Sequence, residues 1–192
     1  MTRVVGIGGT LRAGSSSERL ARAVLDRCAE AGADVQMFDG LHLAKLPHYE
    51  PGTPMRYDAE RVLVDAVRQA DAIVIASPGY HGGISGLVKN AIDLLEDTAR
   101  DDRPYFDGRP VGLIVSAAGW QATGVTLAAL RGVTHAMRGW PTPLGLAINS
   151  VEQRPFDADG VLVDAAVGSQ IATLANQLLR PVGNAESGLT QI

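Results

Sequence analysis

"GIGGTLRAGSSSERLA", Gly6 to Ala21, joins an extended run to a helical one. The run entering it, "RVVGIG" from Arg3 to Gly8, reads as a buried strand, and the run leaving it places Leu20, Val24, Leu25 and Cys28 at helical spacing. Between them stand glycines, one arginine and three consecutive serines. A strand-to-helix turn of this composition gathers backbone N–H groups and the positive end of a helix dipole at one point, which suits a phosphate. Three ligands bring a phosphate to such a turn: a nucleoside triphosphate, a dinucleotide and a flavin mononucleotide. The dinucleotide fingerprint G-x-G-x-x-G, begun at Gly6, needs glycine where Leu11 stands. A Walker A loop begun at Gly9 finds its second glycine at Gly14 but meets Ser15 in place of the lysine, and no other lysine is nearby. Both readings fail at a chemically essential position.

What remains is a loop of hydroxyls, Thr10, Ser15, Ser16 and Ser17, with Arg12 among them. A phosphomonoester carries nearly two negative charges and three accepting oxygens. Hydroxyl and backbone donors with one guanidinium match it, each charge-assisted hydrogen bond being worth about 1.5–3 kcal/mol. The competing reading is a plain helix cap, with Glu18 as capping-box partner of Ser15. Arg12 favours the phosphate.

Outward from this turn the chain alternates short β-branched runs with longer helical periods. "DVQMFD" (34–39) is a second strand, and a loop of about sixteen residues, "GLHLAKLPHYEPGTPM", follows it. "RYDAERVLVDAVRQA" is a helix with Val62, Ala66 and Val67 on one face. "DAIVIASP" (71–78) is apolar on both faces, as a central parallel strand is. "ISGLVKNAIDLLED" is the next helix, and "TARDDRPYFDGR" a polar surface segment. "PVGLIVSAAG" is a fourth strand, "TGVTLAALRGVTHAMRGW" a helix, "TPLGLAIN" a fifth strand and "VLVDAAVGSQIATLANQLLR" a closing helix. Strands each followed by a helix make an α/β domain with a parallel sheet. With no internal repeat or composition shift, residues 1–180 read as one domain, and 181–192 as a tail that frays.

With 46% apolar and 20% charged residues, the composition is that of an ordinary globular chain. A net charge of −4 with scattered arginines leaves no basic stripe, so neither nucleic acid nor an anionic membrane is an expected partner. No apolar run reaches the roughly 20 residues of a membrane span, and "MTRVVGIGG" makes a poor signal peptide. The single cysteine, Cys28, excludes an intrachain disulfide and a thiolate zinc cluster. His42, His48, His81 and His135 show no paired ligand spacing, so no metal site is expected. A cytoplasmic protein is the natural reading.

In an open parallel sheet the ligand lies beyond the carboxyl ends of the strands, where strand order reverses. The loop after the third strand, "SPGYHGGISG", has glycines at 79, 82 and 83 that admit a flat ligand close to the backbone, with Tyr80 and His81 beside it. Its alternative reading is a tight turn with an exposed tyrosine. The loop after the fourth, "SAAGWQATG", again leaves backbone amides uncovered; Trp120 either walls the cavity or packs on the following helix. Three permissive loops at one end of a sheet favour a flat, phosphate-bearing ligand. Flavin mononucleotide fits that description.

At these residues the chain resembles the NAD(P)H-dependent FMN reductase family. Gly9, Thr10, Leu11, Arg12, Gly14, Ser15 and Ser17 occupy an opening pattern like G-S-L-R-x-G-S-x-N. Ser77, Pro78, Tyr80, Gly82, Gly86, Lys89, Asn90, Ala91 and Asp93 match a middle one like S-P-E-Y-N-G-x-x-x-G-x-L-K-N-A-x-D. "AKLPHYEP" looks like the family's loop after the second strand. The resemblance covers roughly Val4 to Ile148 and implies a flavodoxin-like three-layer sandwich with a five-stranded parallel sheet of order 2-1-3-4-5. It implies an FMN phosphate held by Thr10, Arg12, Ser15 and Ser17, with Ser16 in the same cradle. Pro78, Gly79, Tyr80, His81 and Gly82 would line the isoalloxazine, and Ser116, Ala117, Ala118 and Gly119 would close its pyrimidine side. Lys89 and Asp93 would form an ion pair or a subunit contact in a homodimer or homotetramer. The chain departs from the pattern at Gly79, usually acidic, and at His81 and Ser17, usually Asn.

The implied activity is reduction of FMN by NADPH or NADH. Hydride transfer to a flavin needs stacking and orientation more than an acid or base, so no catalytic side chain is assigned. Reduced flavin would pass to a partner monooxygenase, or electrons to another acceptor. The alternative is a reductase of quinones, azo compounds or chromate that retains its FMN. A flavodoxin-type electron carrier is the rival of another class, and a dehydrogenase with Asp39 on a ribose is a third reading.

Overall fold

The computed structural model describes residues 1–53 and 57–180. The expected tail after Arg180, and Arg56 at the start of the expected second helix, lie outside the described residues. β1 (Arg3–Gly8) pairs in parallel with β2 (Asp34–Phe38) on one side and β3 (Ala72–Tyr80) on the other. β4 (Gly83–Ile84) folds back antiparallel on β3, and β5 (Pro110–Ala117) extends the sheet beyond it. β6 (Trp140–Pro141) and β7 (Leu146–Asn149) both pair in parallel with β5. The order β2-β1-β3-β5-β6 is the expected 2-1-3-4-5 arrangement, but among the described residues the strands number seven rather than five.

Two local causes account for the extra strands. Pro141 and Pro143 lack the N–H a continuous edge strand would donate, and the buried Thr142 hydroxyl turns to the carbonyls of Val111 (3.3 Å) and Leu144 (2.8 Å). β7 is therefore only the second half of the expected fifth strand (142–149), and β6 forms from Pro141 and from Trp140, expected at the end of a helix that in fact stops at Ala136. β4 arises because "YHGG" closes a two-residue hairpin: His81 (φ 50°) and Gly82 (φ 79°) both take the left-handed conformation that such a turn requires.

The central strands read as continuous apolar runs because they are covered on both faces. Val5, Ile7, Ile73, Ile75, Leu113 and Val115 pack under α3 (Asp58–Gln69), α4 (Gly86–Asp93) and α5 (Trp120–Ala136). Val4, Ala72, Val74, Ala76 and Ile114 face α1 (Ser16–Glu30) and α6 (Ala165–Leu179). That second face carries small residues, which lets both helices sit close. A Cβ at Gly112 would meet Leu174 and Leu178 methyl groups at 3.2–3.3 Å. The result is the expected three-layer α/β sandwich.

Other boundaries shift for identifiable reasons. Within the expected long loop, α2 (Gly40–Leu43) is capped by Asp39, whose carboxylate accepts from His42 N–H (3.0 Å). In α3 the buried face is Leu63, Val64, Ala66 and Val67, whereas Val62 points outward. α4 starts at Gly86 rather than Ile84 because Ser85 caps it, its hydroxyl accepting from Val88 N–H (3.2 Å). α5 begins three residues early, at Trp120. α6 begins only at Ala165, capped by Asp164, since Leu162 is held in an antiparallel bridge with Phe156. The segment expected to be polar surface buries Thr98, Phe106 and Arg109. The Arg109 guanidinium donates to the carbonyls of Ala70 (2.8 Å), Arg68 (2.9 Å) and Tyr105. Burial pushes its pKa down to about 10. Among the described residues no helix is long and apolar enough to cross a membrane, and no cluster of metal-ligating side chains occurs.

Candidate functional site

β1 ends on Gly8, where the chain passes so close to β3 that a Cβ would lie 2.1 Å from the Ala76 carbonyl oxygen. Only glycine fits at that separation, and the next residue's N–H still donates to the Ala76 carbonyl (3.3 Å). Arg12 N–H then donates to Thr10 Oγ1 (3.1 Å), while the Thr10 hydroxyl lies 3.2 Å from the Arg12 carbonyl. This side-chain turn fixes the loop that presents Arg12. The Arg12 side chain is exposed and has no hydrogen-bond or ionic partner among the described residues.

Ser15 is the N-cap of α1 by backbone position, yet its hydroxyl caps nothing. Glu18 does not return to the Ser15 N–H, as a capping box would. Its carboxylate instead accepts from Gly14 N–H (3.3 Å) and from Arg22 Nε (2.9 Å). The first backbone bond of the helix is Arg19 N–H to Ser15 carbonyl, so the N–H groups of Ser16, Ser17 and Glu18 precede the ladder. Ser15 and Ser17 are 4% and 2% exposed, and their hydroxyls lie 3.5 Å apart. Buried hydroxyls without good partners are costly. The capping box is therefore not formed, and the two hydroxyls are left facing each other at 3.5 Å.

The second wall is the β3–β4 hairpin. Ser77 Oγ accepts from Ser85 N–H (3.0 Å), clamping the hairpin to the start of α4. Gly79 sits against β5 and α5: a Cβ there would be 2.9 Å from Ala117 Cβ and 3.0 Å from Thr126 Oγ1. The acidic side chain usual in the motif therefore has no room. Asn90 of the same motif reaches back to the loop after β2, donating to the Pro47 carbonyl (2.9 Å) and accepting from Tyr49 N–H (2.9 Å). Lys89 and Asp93 form an ion pair at 2.6 Å.

The third wall is the end of β5, and the loop after β7 is a fourth. Ser150 N–H donates to the Ala117 carbonyl (2.9 Å). Buried Asn149 organises this loop, its amide donating to Glu152 (2.9 Å) and its carbonyl oxygen accepting from Val151 N–H (3.1 Å). Trp120 is exposed and does not wall the cavity described below. Its indole N–H donates to Glu152 (2.8 Å), tying the loops after β5 and β7 together.

These walls enclose a cavity of about 590 Å³, within the range of cofactor sites. Thr10, Arg12, Ser15, Ser16, Ser17, Pro78, Gly79, Tyr80, Ser116, Ala117 and Ala118 all line it. His81 and Gly82 do not, because the hairpin turn carries both out to its exposed tip. Gly119 stands back as the N-cap of α5. Ser150 lines the cavity without having been singled out in the sequence. The available signal was its place after the last parallel strand, at the ligand-binding end of the sheet. Asp39 is spent on α2 and on Arg22 (2.9 Å) and does not line the cavity, which removes the acid a dehydrogenase would need for a ribose.

The cavity lies at the carboxyl ends of the parallel strands, floored by the start of α1. The sequence model of the NADPH-dependent FMN reductases matches residues 2–153. The chain belongs to that family. An NAD(P)H-dependent FMN reductase of Pseudomonas aeruginosa is 30% identical over 165 residues, covering 84% of this chain and 85% of its own length. A probable NADPH:quinone oxidoreductase of rice is 36% identical over 178 residues, covering 88% of this chain and 86% of its own length. Among solved structures, the flavoenzyme NAD(P)H:(acceptor) oxidoreductase FerB of Paracoccus denitrificans superposes with a TM-score of 0.72. It covers 93% of this chain and 97% of its own at 22% identity, a likeness of fold. As a member of the FMN reductase family the protein is an oxidoreductase, and the family's cofactors are FMN and a nicotinamide donor.

Proposed function

We propose that the cradle of Arg12 and Ser15 to Ser17 holds the phosphate of FMN, and that the cavity above it receives the flavin ring. The observation that carries this reading is the pair of buried Ser15 and Ser17 hydroxyls, which cap nothing at the start of α1, beside a guanidinium without a partner among the described residues. When bound, the flavin supplies the capacity to accept a hydride and release electrons. The chain's own part is to bind and orient. Thr10 locks the loop that presents Arg12, the β3 end from Pro78 to Tyr80 supports one side of the ring, and Ser116 to Ala118 close another. The cavity lining holds no His, Asp, Glu, Lys or Cys, and no catalytic acid or base is assigned to it.

The finer reading is a reductase that takes NADPH or NADH and hands reduced flavin to a partner monooxygenase. A reductase of quinones, azo compounds or chromate that keeps its FMN is the second reading, favoured by the likeness to the rice protein. Both readings suit a cytoplasmic homodimer or homotetramer, whose size light scattering would give.

Anaerobic mixing with NADPH or NADH, with and without added FMN, tests these readings. Rapid bleaching of the flavin is expected, and a flavin that either donor leaves oxidised would refute the reductase reading in favour of a pure electron carrier. FMN that stays with the protein through gel filtration and turnover would overturn the monooxygenase delivery and leave the FMN-retaining reductase.

A further inference from the structure

Beside the main cavity, and sharing Arg12, Ser16 and Ser150 with it, lies a second cavity of about 400 Å³ between the Arg12–Gly14 loop, the first turn of α1 and the segment after β7. Two further arginines line it, Arg19 and Arg154. Among the described residues most arginines are committed, Arg3, Arg27, Arg61 and Arg103 included: Arg22 to Glu18 and Asp39, Arg68 to Asp65 and Asp101, Arg109 and Arg131 to carbonyls. Arg12, Arg19 and Arg154 have neither a hydrogen-bond nor an ionic partner among the described residues, and no acidic side chain lines the cavity they share.

Arg19 is nonetheless held in place. Its half-buried guanidinium lies between two glycines, so that a Cβ at Gly14 would be 3.3 Å from its Nε and Nη2 and one at Gly160 would be 3.6 Å from its Nη1. Backbone packing, rather than a counter-charge, positions the group. Three like charges around one cavity repel, and an anion bound among them relieves that repulsion. A phosphate ester supplies up to two negative charges and accepts the forked donors of a guanidinium. Gln153 and Phe156 add an amide and an aromatic surface to the same lining, more than a bare anion needs. Because Arg12 and Ser16 belong to both cavities, the ligand in the second continues past the position assigned to the flavin phosphate or approaches it from outside.

We infer that this cavity is a second phosphate subsite, occupied by a phosphate ester carried on a dinucleotide. Two ligands carry that chemistry: FAD, whose adenylate phosphate adjoins the phosphate it shares with FMN, and NADPH, whose 2′-phosphate distinguishes it from NADH. The inference rests on the flavin reading given above.

The test compares the wild-type protein with Arg19→Gln, Arg154→Gln and the double variant. Dissociation constants for FMN and FAD come from quenching of flavin fluorescence, and kcat/KM for NADPH and NADH is measured at saturating FMN. If FAD fills the subsite, the FAD-to-FMN ratio of dissociation constants rises about tenfold or more in the double variant while the NADPH-to-NADH ratio stays put. If the 2′-phosphate fills it, kcat/KM for NADPH relative to NADH falls about tenfold or more while the flavin ratio stays put. Both ratios within about twofold of wild type overturn the inference. Should the double variant fail to fold, the exposed Arg154→Gln alone decides, with the same readouts. A wild-type protein that binds neither flavin would instead defeat the flavin reading itself, an outcome distinct from FMN binding with flat ratios.

Discussion

Replacing Arg12 by alanine isolates the electrostatic part of the proposed cradle. Arg12 has no partner among the described residues, so truncation takes nothing from the ligand-free fold. Stability is expected to change by no more than about 0.5 kcal/mol, as for other exposed positions. A charge-assisted hydrogen bond is worth about 1.5–3 kcal/mol, and water screening of an exposed guanidinium keeps Arg12 at the lower end. A loss of about 1.5–2 kcal/mol corresponds to a roughly 10- to 30-fold rise in the dissociation constant for FMN. Riboflavin, which has the same ring and no phosphate, provides the internal control and is expected to bind both proteins alike. Titrating each flavin into each protein and following fluorescence quenching measures all four constants. Rising salt should weaken FMN binding to the wild type more than to the variant. The reasoning fails if the FMN constant moves by less than about threefold. It also fails if riboflavin loses as much affinity as FMN, since the guanidinium would then be acting on the ring or the fold.

Three further outcomes follow from the packing and the buried groups. Gly79→Ala forces a methyl group to within 2.9 Å of Ala117 Cβ and 3.0 Å of Thr126 Oγ1; it should cost about 1–3 kcal/mol and weaken FMN binding, and an unchanged denaturation midpoint would show that the hairpin yields freely. Arg109→Met strands the buried carbonyls of Ala70, Arg68 and Tyr105, and a loss of about 2–4 kcal/mol in urea unfolding is expected. Burial of Cys28 raises its thiol pKa from 9.0 to about 11. The unfolded chain therefore loses this proton at lower pH than the native one, and stability should fall as pH rises between those two values. The fall amounts to about 2–3 kcal/mol, absent from Cys28→Ala; parallel pH–stability curves for the two proteins would refute it.

Much of the architecture was legible because its signals are local. The apolar runs at Val4–Ile7, Ile73–Ala76 and Val111–Val115 read as strands covered on both faces, and the Leu20, Val24, Leu25 and Cys28 spacing as a helix against them. Departures came where a distant group decided the outcome. Arg109 reads as surface until the carbonyls of Ala70 and Arg68 are brought to it, and Val62 reads as core until α3 settles with Leu63 and Val67 inward. Trp140 reads as the end of a helix until its N–H reaches the Arg109 carbonyl, which makes it the start of β6.

The candidate site divides along the same line. The chemistry of "GTLRAGSSS" excludes a triphosphate loop and a dinucleotide fingerprint by the identity of single residues, Ser15 and Leu11, and no tertiary information alters that. Residue type alone could not say whether Ser15 and Ser17 were caps. That was settled when Glu18 turned to Gly14 and Arg22, leaving both hydroxyls buried beneath the cavity. Nor could it say that His81 and Gly82 would be carried to a hairpin tip, or that Ser150 would come in from a loop more than thirty residues after Ala117. Residue chemistry is a property of the chain, and it named the kind of ligand. Which donors remain unspent, and which loops meet, depends on bonds between segments far apart in sequence, and only the tertiary structure decides those.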